Sequence, residues 1–102
     1  MAYEGIHKAK KGLIRVRLSL DPNKIIKNIE ISGDFFLYPE DALWIIEKHL
    51  VGKKAEKNEL LAEIKKIYLK HNIETPFLNP EDFVKAILNA VRKYEEDTCN
   101  IL

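Results

Sequence analysis

The chain has 102 residues, of which 46% are hydrophobic and 32% charged, with a net charge of +1 and one cysteine. This length suits one domain, and the hydrophobic content excludes a disordered segment. No apolar run reaches the roughly 20 residues that cross a bilayer, and the first residues lack a signal-peptide pattern, so we expect a cytoplasmic protein. One cysteine, Cys99, allows neither an internal disulfide nor a zinc cage. The dominance of Lys and Glu and the absence of glutamine are typical of thermophiles.

The charges are unevenly distributed along the chain. Residues 1–28 carry seven Lys or Arg against two acids, and residues 29–102 carry ten against fourteen. The first part is therefore basic, which predicts a basic sheet face. Such a face could meet a phosphate, a nucleic acid or an acidic protein. A solvated strand face of a lysine-rich protein is the alternative.

The first clear elements form a hairpin. Residues 13–20 alternate apolar and polar side chains, the period of a half-buried strand. Asp21-Pro22-Asn23-Lys24 has the composition of a tight turn, and residues 25–32 alternate again as the returning strand. Two strands alone are only marginally stable, so we expect other elements to cover the apolar side of the hairpin. A third strand is expected from residues 5–10 or 35–38.

Three helices are predicted after the hairpin. The first begins with Pro39-Glu40-Asp41 and ends before Gly52, the second begins with Asn58 as its N-cap and runs to His71, and the third begins at Pro80. Apolar stripes on each helix indicate packing against the sheet. Trp44 is expected to pack in the core, with an exposed anchor as the alternative.

Strands followed by helices predict an α+β domain over residues 1–102. It has a hairpin or a three-stranded antiparallel sheet followed by three helices packed on one face. The ends, about residues 1–10 and 96–102, are expected to be flexible.

The sequence contains none of the common catalytic motifs. There is no serine elbow and no phosphate-cradling glycine loop, and His7, His49 and His71 are too far apart in sequence to suggest one metal site. The acidic pairs Glu40-Asp41 and Glu81-Asp82 fit helix starts better than general-acid chemistry. We therefore expect no catalytic, metal-binding or cofactor-binding residue.

Four stretches in order resemble the C-terminal accessory domain of lipoate-protein ligases. They are the first strand at residues 12–18, the second at 24–31, Gly-Asp-Phe-Phe at 33–36, and the helix end at 46–52 with its Leu-Val-Gly. The similarity extends over about residues 8–52. This chain departs from the family at two turns. It has Lys11-Gly12 where the family often has two glycines, and its hairpin turn has no glycine. Both departures affect the expected shape of these loops.

The resemblance implies a role without catalysis. In that family a large domain binds lipoate and ATP, makes lipoyl-adenylate and transfers the lipoyl group to a lysine of an acceptor such as a lipoyl domain. The small domain is a separate chain in some archaeal and related versions and is needed for adenylate formation. This chain is therefore expected to be that accessory subunit, with ATP, Mg and lipoate bound on the large catalytic subunit. The implied fold is similar to that of small iron–sulfur scaffold domains.

The expected partner interface has two parts. Gly33, Asp34, Phe35 and Phe36 are predicted to form a strand-to-helix turn in which the glycine permits a bend, Asp34 accepts from backbone N–H groups, and one ring points inward and the other outward. Burial of both rings is the alternative. The second part is the strand face with Arg15 and Arg17, to which Lys8 and Lys10 could add further positive charge.

The sequence also allows other functions. A nucleic-acid-binding or general protein-interaction module is the alternative, although strand aromatics for base stacking are missing. An iron–sulfur scaffold would need several cysteines.

Overall fold

The computed structural model of the protein describes residues 2–10, 12–75 and 78–101, the last four as backbone only, so the side chain of Cys99 lies outside the described part. Three strands precede three helices, in the order β1 (Tyr3–Ala9), β2 (Gly12–Leu20), β3 (Ile26–Asp34), α1 (Ala42–Leu50), α2 (Lys57–His71) and α3 (Pro80–Ile101). The α+β class is confirmed. The third strand comes from the first of the two predicted segments, because residues 35–38 form no strand.

The sheet is antiparallel with the order β1-β2-β3. Val16 lies opposite Gly5 on one side and Ile31 on the other, and the alternate residues Ile14, Val16 and Leu18 are almost fully buried. The period-2 pattern therefore places one face of the sheet in the core, as predicted.

The predicted turn between β2 and β3 is present. The Lys24 backbone N–H donates to the Asp21 carbonyl at 2.9 Å, and Asp21 Oδ1 accepts from the N–H groups of Asn23 and Ile25 at 2.8 and 2.9 Å. The residue with a left-handed backbone is Lys24, with φ 63°. The carboxylate of Asp21 thus holds a turn that has no glycine.

The helices cover the apolar face of the sheet. Helix α3 lies across β1 and β2, α1 contacts β3, and α2 packs between α1 and α3. Most of the predicted apolar stripe of α3 is buried, including Phe83, Val84, Ile87 and Val91. The helix continues to Ile101, and residues 3–9 form a strand.

Two helix starts differ from the prediction. Helix α1 begins at Ala42 with Asp41 in the N-cap position, so residues 39–41 form a turn that precedes the helix. Helix α2 has Glu56 as its N-cap, without a side-chain capping bond, and Asn58 lies inside the helix. The predicted end of α1 is confirmed, because Gly52 follows it with φ 89°. None of the described helices is long and apolar enough to cross a membrane.

Helix α3 approaches β1 closely at Gly5. A Cβ atom at this position would overlap the backbone of α3 at Ala86 and Ala90. Backbone atoms cannot rotate aside as a flexible side chain can, so the absence of a side chain at residue 5 sets the distance between α3 and the sheet.

We predict that Gly5→Ala destabilises the protein by about 2 kcal/mol or more, because the whole of α3 must move outward and loosen its packing. Thermal unfolding measures this loss. The comparison variant is Gly52→Ala, where the added Cβ meets open space and only the positive φ opposes it. Equal amide chemical-shift changes along α3 in the two variants would contradict the prediction.

Candidate partner-binding site

The segment from Phe35 to Tyr38 presents two aromatic rings to solvent. Phe36 is 84% exposed and Tyr38 67% exposed, whereas Phe35 and Leu37 are half-buried and pack against the core. This alternation is that of an extended chain, in which neighbouring side chains point in opposite directions. We call the pair Phe36 and Tyr38 the aromatic anchor.

Phe35 fastens the segment to the core. Its ring lies 5.6 Å from that of Phe83 at an interplanar angle of 83°, an edge-to-face contact. On the other side the ring lies against Gly33, where a Cβ would overlap Phe35 Cε1 and Cδ1 as well as the carbonyl oxygen of Leu13. Gly33 therefore provides the space that the Phe35 ring occupies.

Backbone hydrogen bonds hold the other end of the segment. The Tyr38 N–H donates to the Glu74 carbonyl at 2.8 Å, and the Glu74 N–H donates to the Tyr38 carbonyl at 2.7 Å. Thr75, next to Glu74, donates its hydroxyl to the Leu78 carbonyl at 3.1 Å and lies 2.9 Å from the hydroxyl of Tyr68. Burial raises the pKa of Tyr68. The phenol therefore stays protonated at neutral pH and can donate to Thr75.

The predicted division of the two phenylalanines is confirmed, with Phe35 inward and Phe36 outward. Two details of the prediction are wrong. Gly33 and Asp34 are the last residues of β3, so they lie in the strand and not in a turn. Asp34 is exposed and, among the described residues, accepts no hydrogen bond from a backbone N–H.

The solvent face of the sheet is mixed in charge, contrary to the basic face that we predicted. Arg17 lies between Glu4 and Glu30 of the neighbouring strands, and Arg15 Nε is 3.3 Å from Glu4 Oε1. Both arginines are exposed, as expected. Opposite Asp34, the last residue of β3, lies Leu13 and not an arginine.

Trp44 is 59% exposed, so its predicted place in the core is wrong. Its ring lies on the outer side of α1, with Lys48 Nζ 5.0 Å from the ring centroid. Sequence reasoning also missed Tyr38 as an exposed ring. The sequence could have predicted this exposure, because Tyr38 lies two residues after Phe36 and alternate side chains of an extended segment point the same way.

Two of the three histidines lie closer together than their positions in the sequence suggested. The rings of His49 and His71, at the ends of α1 and α2, are 5.7 Å apart. Within the part of the chain that the structure describes, no group of three or more His, Cys, Asp or Glu is placed to hold a metal ion.

Comparison with known proteins identifies the family. Residues 1–87 match the family model described as the bacterial lipoate protein ligase C-terminus. The chain belongs to this family. Lipoate-protein ligase A subunit 2 of Thermoplasma acidophilum is 46% identical over 88 residues, which is 85% of this chain and 88% of the relative.

A solved structure also matches this lipoate-protein ligase C-terminal domain. It is a chain from an archaeal lipoylation system, a bipartite lipoate protein ligase and its E2 lipoyl domain from Thermoplasma acidophilum. It has a TM-score of 0.76 and 47% identity and covers 85% of this chain and 94% of that chain. The residues matched by the family model, 1–87, span the aromatic anchor and both arginines.

We predict that Gly33→Ala displaces the Phe35 ring and destabilises the protein by about 1–3 kcal/mol, since the added methyl overlaps both the ring and a backbone carbonyl. Chemical denaturation measures the stability, and the methyl and ring proton shifts around Phe83 report the displacement. Ser32→Ala, on the solvent face of the same strand, is the control and should change stability by less than about 0.5 kcal/mol. An unshifted Phe83 environment in Gly33→Ala would refute the role given to Gly33.

Proposed function

We propose that this chain is the small, non-catalytic subunit of a two-chain, ATP-dependent lipoate-protein ligase. It docks on a large catalytic subunit and is required there for lipoyl-adenylate formation and protein lipoylation. ATP, Mg and lipoate bind on the large subunit. The observation that carries this proposal is the match over 88% of a relative that is itself named as a separate second subunit.

Adenylate chemistry gives a physical reason for such a subunit. A lipoyl-adenylate is a mixed anhydride that water hydrolyses, so the site that makes it benefits from closure and from loops held in place. A docked protein can supply both without a reactive group of its own.

The aromatic anchor supports docking through this segment. Exposed Phe and Tyr rings have large apolar areas and few rotatable bonds, and aromatic residues are enriched at the centres of interfaces. The Phe35 contact with Phe83 and the paired bonds between Tyr38 and Glu74 fix the backbone between them. A segment that is already ordered loses less conformational entropy on binding.

We predict that the double variant Phe36→Ala, Tyr38→Ala binds the large subunit at least a hundredfold more weakly, because truncating two anchoring rings typically removes several kcal/mol. Calorimetry measures binding, and ATP–pyrophosphate exchange with lipoate measures adenylate formation. Stability of the isolated chain should change little, as both rings are exposed.

Leu69→Ala is the matched control, because Leu69 is apolar, 82% exposed and on a different element, α2. It should bind and activate like the unchanged chain. If the double variant still supports full exchange activity, the anchor is not the docking site. If the unchanged chain adds nothing to the large subunit's activity, the proposed function itself fails.

Arg15 and Arg17 are proposed as a secondary contact that steers association. Their acidic neighbours Glu4 and Glu30 partly neutralise them, so we assign them an effect on the rate more than on the affinity.

We predict that Arg15→Glu, Arg17→Glu slows association about tenfold at low salt, and that the difference shrinks towards 0.5 M salt as the charges are screened. Stopped-flow mixing with the large subunit measures the rate. The control reverses two exposed charges on α3, Arg92→Glu and Lys93→Glu. An equal effect of the control would show that only net charge matters.

A further inference from the structure

The imidazole rings of His49 and His71 meet where α1 and α2 end. Their ring centroids are 5.7 Å apart, at an interplanar angle of 50°. His49 lies in the last turn of α1, His71 is the last residue of α2, and both residues are half-buried. We call these two residues the histidine pair.

One nitrogen of the histidine pair is buried without a partner. Nε2 of His71 is shielded from solvent, and none of the described residues forms a hydrogen bond with it. A buried polar atom without a partner destabilises a protein, so such an atom calls for a bound water or ion as its explanation. In the tautomer that carries its proton on Nδ1, this nitrogen has a free lone pair with which it can bind a cation.

The distance between the rings fits one shared metal ion. Two imidazoles that bind one zinc ion through Zn–N bonds of about 2.0–2.1 Å place their ring centres roughly 5–6 Å apart. The terminal torsion of a histidine side chain is broad, so a small rotation of the His49 ring is enough to turn one of its nitrogens towards Nε2 of His71.

The electrostatics of the two helices also favour a cation at this position. The histidine pair lies at the carboxyl ends of both α1 and α2, where each helix dipole is negative. The ammonium group of Lys48, the residue before His49, is directed to the Trp44 ring on the outer side of α1. Lys70, the residue before His71, is exposed to solvent, which screens its charge.

We propose that the histidine pair binds a divalent transition-metal ion such as zinc, and that the ion joins the ends of α1 and α2. Imidazole nitrogen suits zinc, copper and nickel, whereas magnesium and calcium prefer oxygen ligands. Solvent completes the coordination. Because this chain supplies two ligands and structural zinc sites have four, we expect a dissociation constant of about 1–100 µM.

Zinc chloride, titrated into the full chain with the imidazole nitrogen shifts followed by NMR, tests the proposal. We expect saturable changes at both rings with one ion per chain, including a shift of Nε2 of His71. The midpoint of thermal unfolding should rise by about 5 °C or more when free zinc is in tenfold excess over its dissociation constant. Magnesium should change neither measurement.

The variants His49→Gln and His71→Gln should each weaken zinc binding at least tenfold, and two variants keep the test decisive if one of them folds poorly. The control is Cys99→Ser, His7→Gln, which removes the one cysteine and the remaining histidine of the chain. It should bind zinc as the unchanged chain does.

Three results would overturn the proposal. They are unchanged zinc affinity in both glutamine variants, a tenfold loss in the control, and no saturable shift up to about 1 mM zinc, which is tenfold above the weakest affinity expected. None of these results bears on the proposed ligase role, because neither histidine belongs to the aromatic anchor.

Discussion

The approach of α3 to the sheet at Gly5 is the constraint on which the rest of the structure depends. A strand position without a side chain lets the backbone of α3 lie directly against β1, where any Cβ would overlap it. The first turn of the same helix brings Phe83 to the far end of the sheet, against the ring of Phe35. One close contact between helix and strand thus sets the position of the ring that holds the exposed segment in place.

At each free edge of the sheet a helix side chain bonds to one backbone group. On the outer strand β3, the Ile31 N–H donates to Glu47 Oε2 at 2.6 Å, and on β1 the Ile6 carbonyl accepts from Asn89 Nδ2 at 2.8 Å. Free backbone groups at a sheet edge invite another strand, so these two bonds oppose pairing with other chains.

The parts of the fold that follow from local chemistry were predictable. The alternation of apolar and polar residues predicted β2 and β3, and the composition of residues 21–24 predicted the turn between them. Strand pattern and turn type both depend on residues that are neighbours in the sequence. The start of α2 was missed because Asn58 is a good N-cap by residue type, whereas the first backbone bond of the helix, from the Leu60 N–H to the Glu56 carbonyl, begins it at Lys57. Trp44 was misplaced because a helical stripe is broad and its border is set by which helices cover it.

The site shows the same division between local and tertiary information. That one phenylalanine of Gly-Asp-Phe-Phe points inward follows from alternation, but which one does so depends on Phe83, about fifty positions later in the chain. The role of Gly33 also depends on tertiary structure. A glycine in a strand can mark a bend or the close approach of another group to the backbone. At Gly33 the structure shows the close approach, by the ring of Phe35. Packing of Phe35 into the core therefore leaves Phe36 outside, so the same contact that stabilises the domain exposes the ring with which we propose it binds its partner.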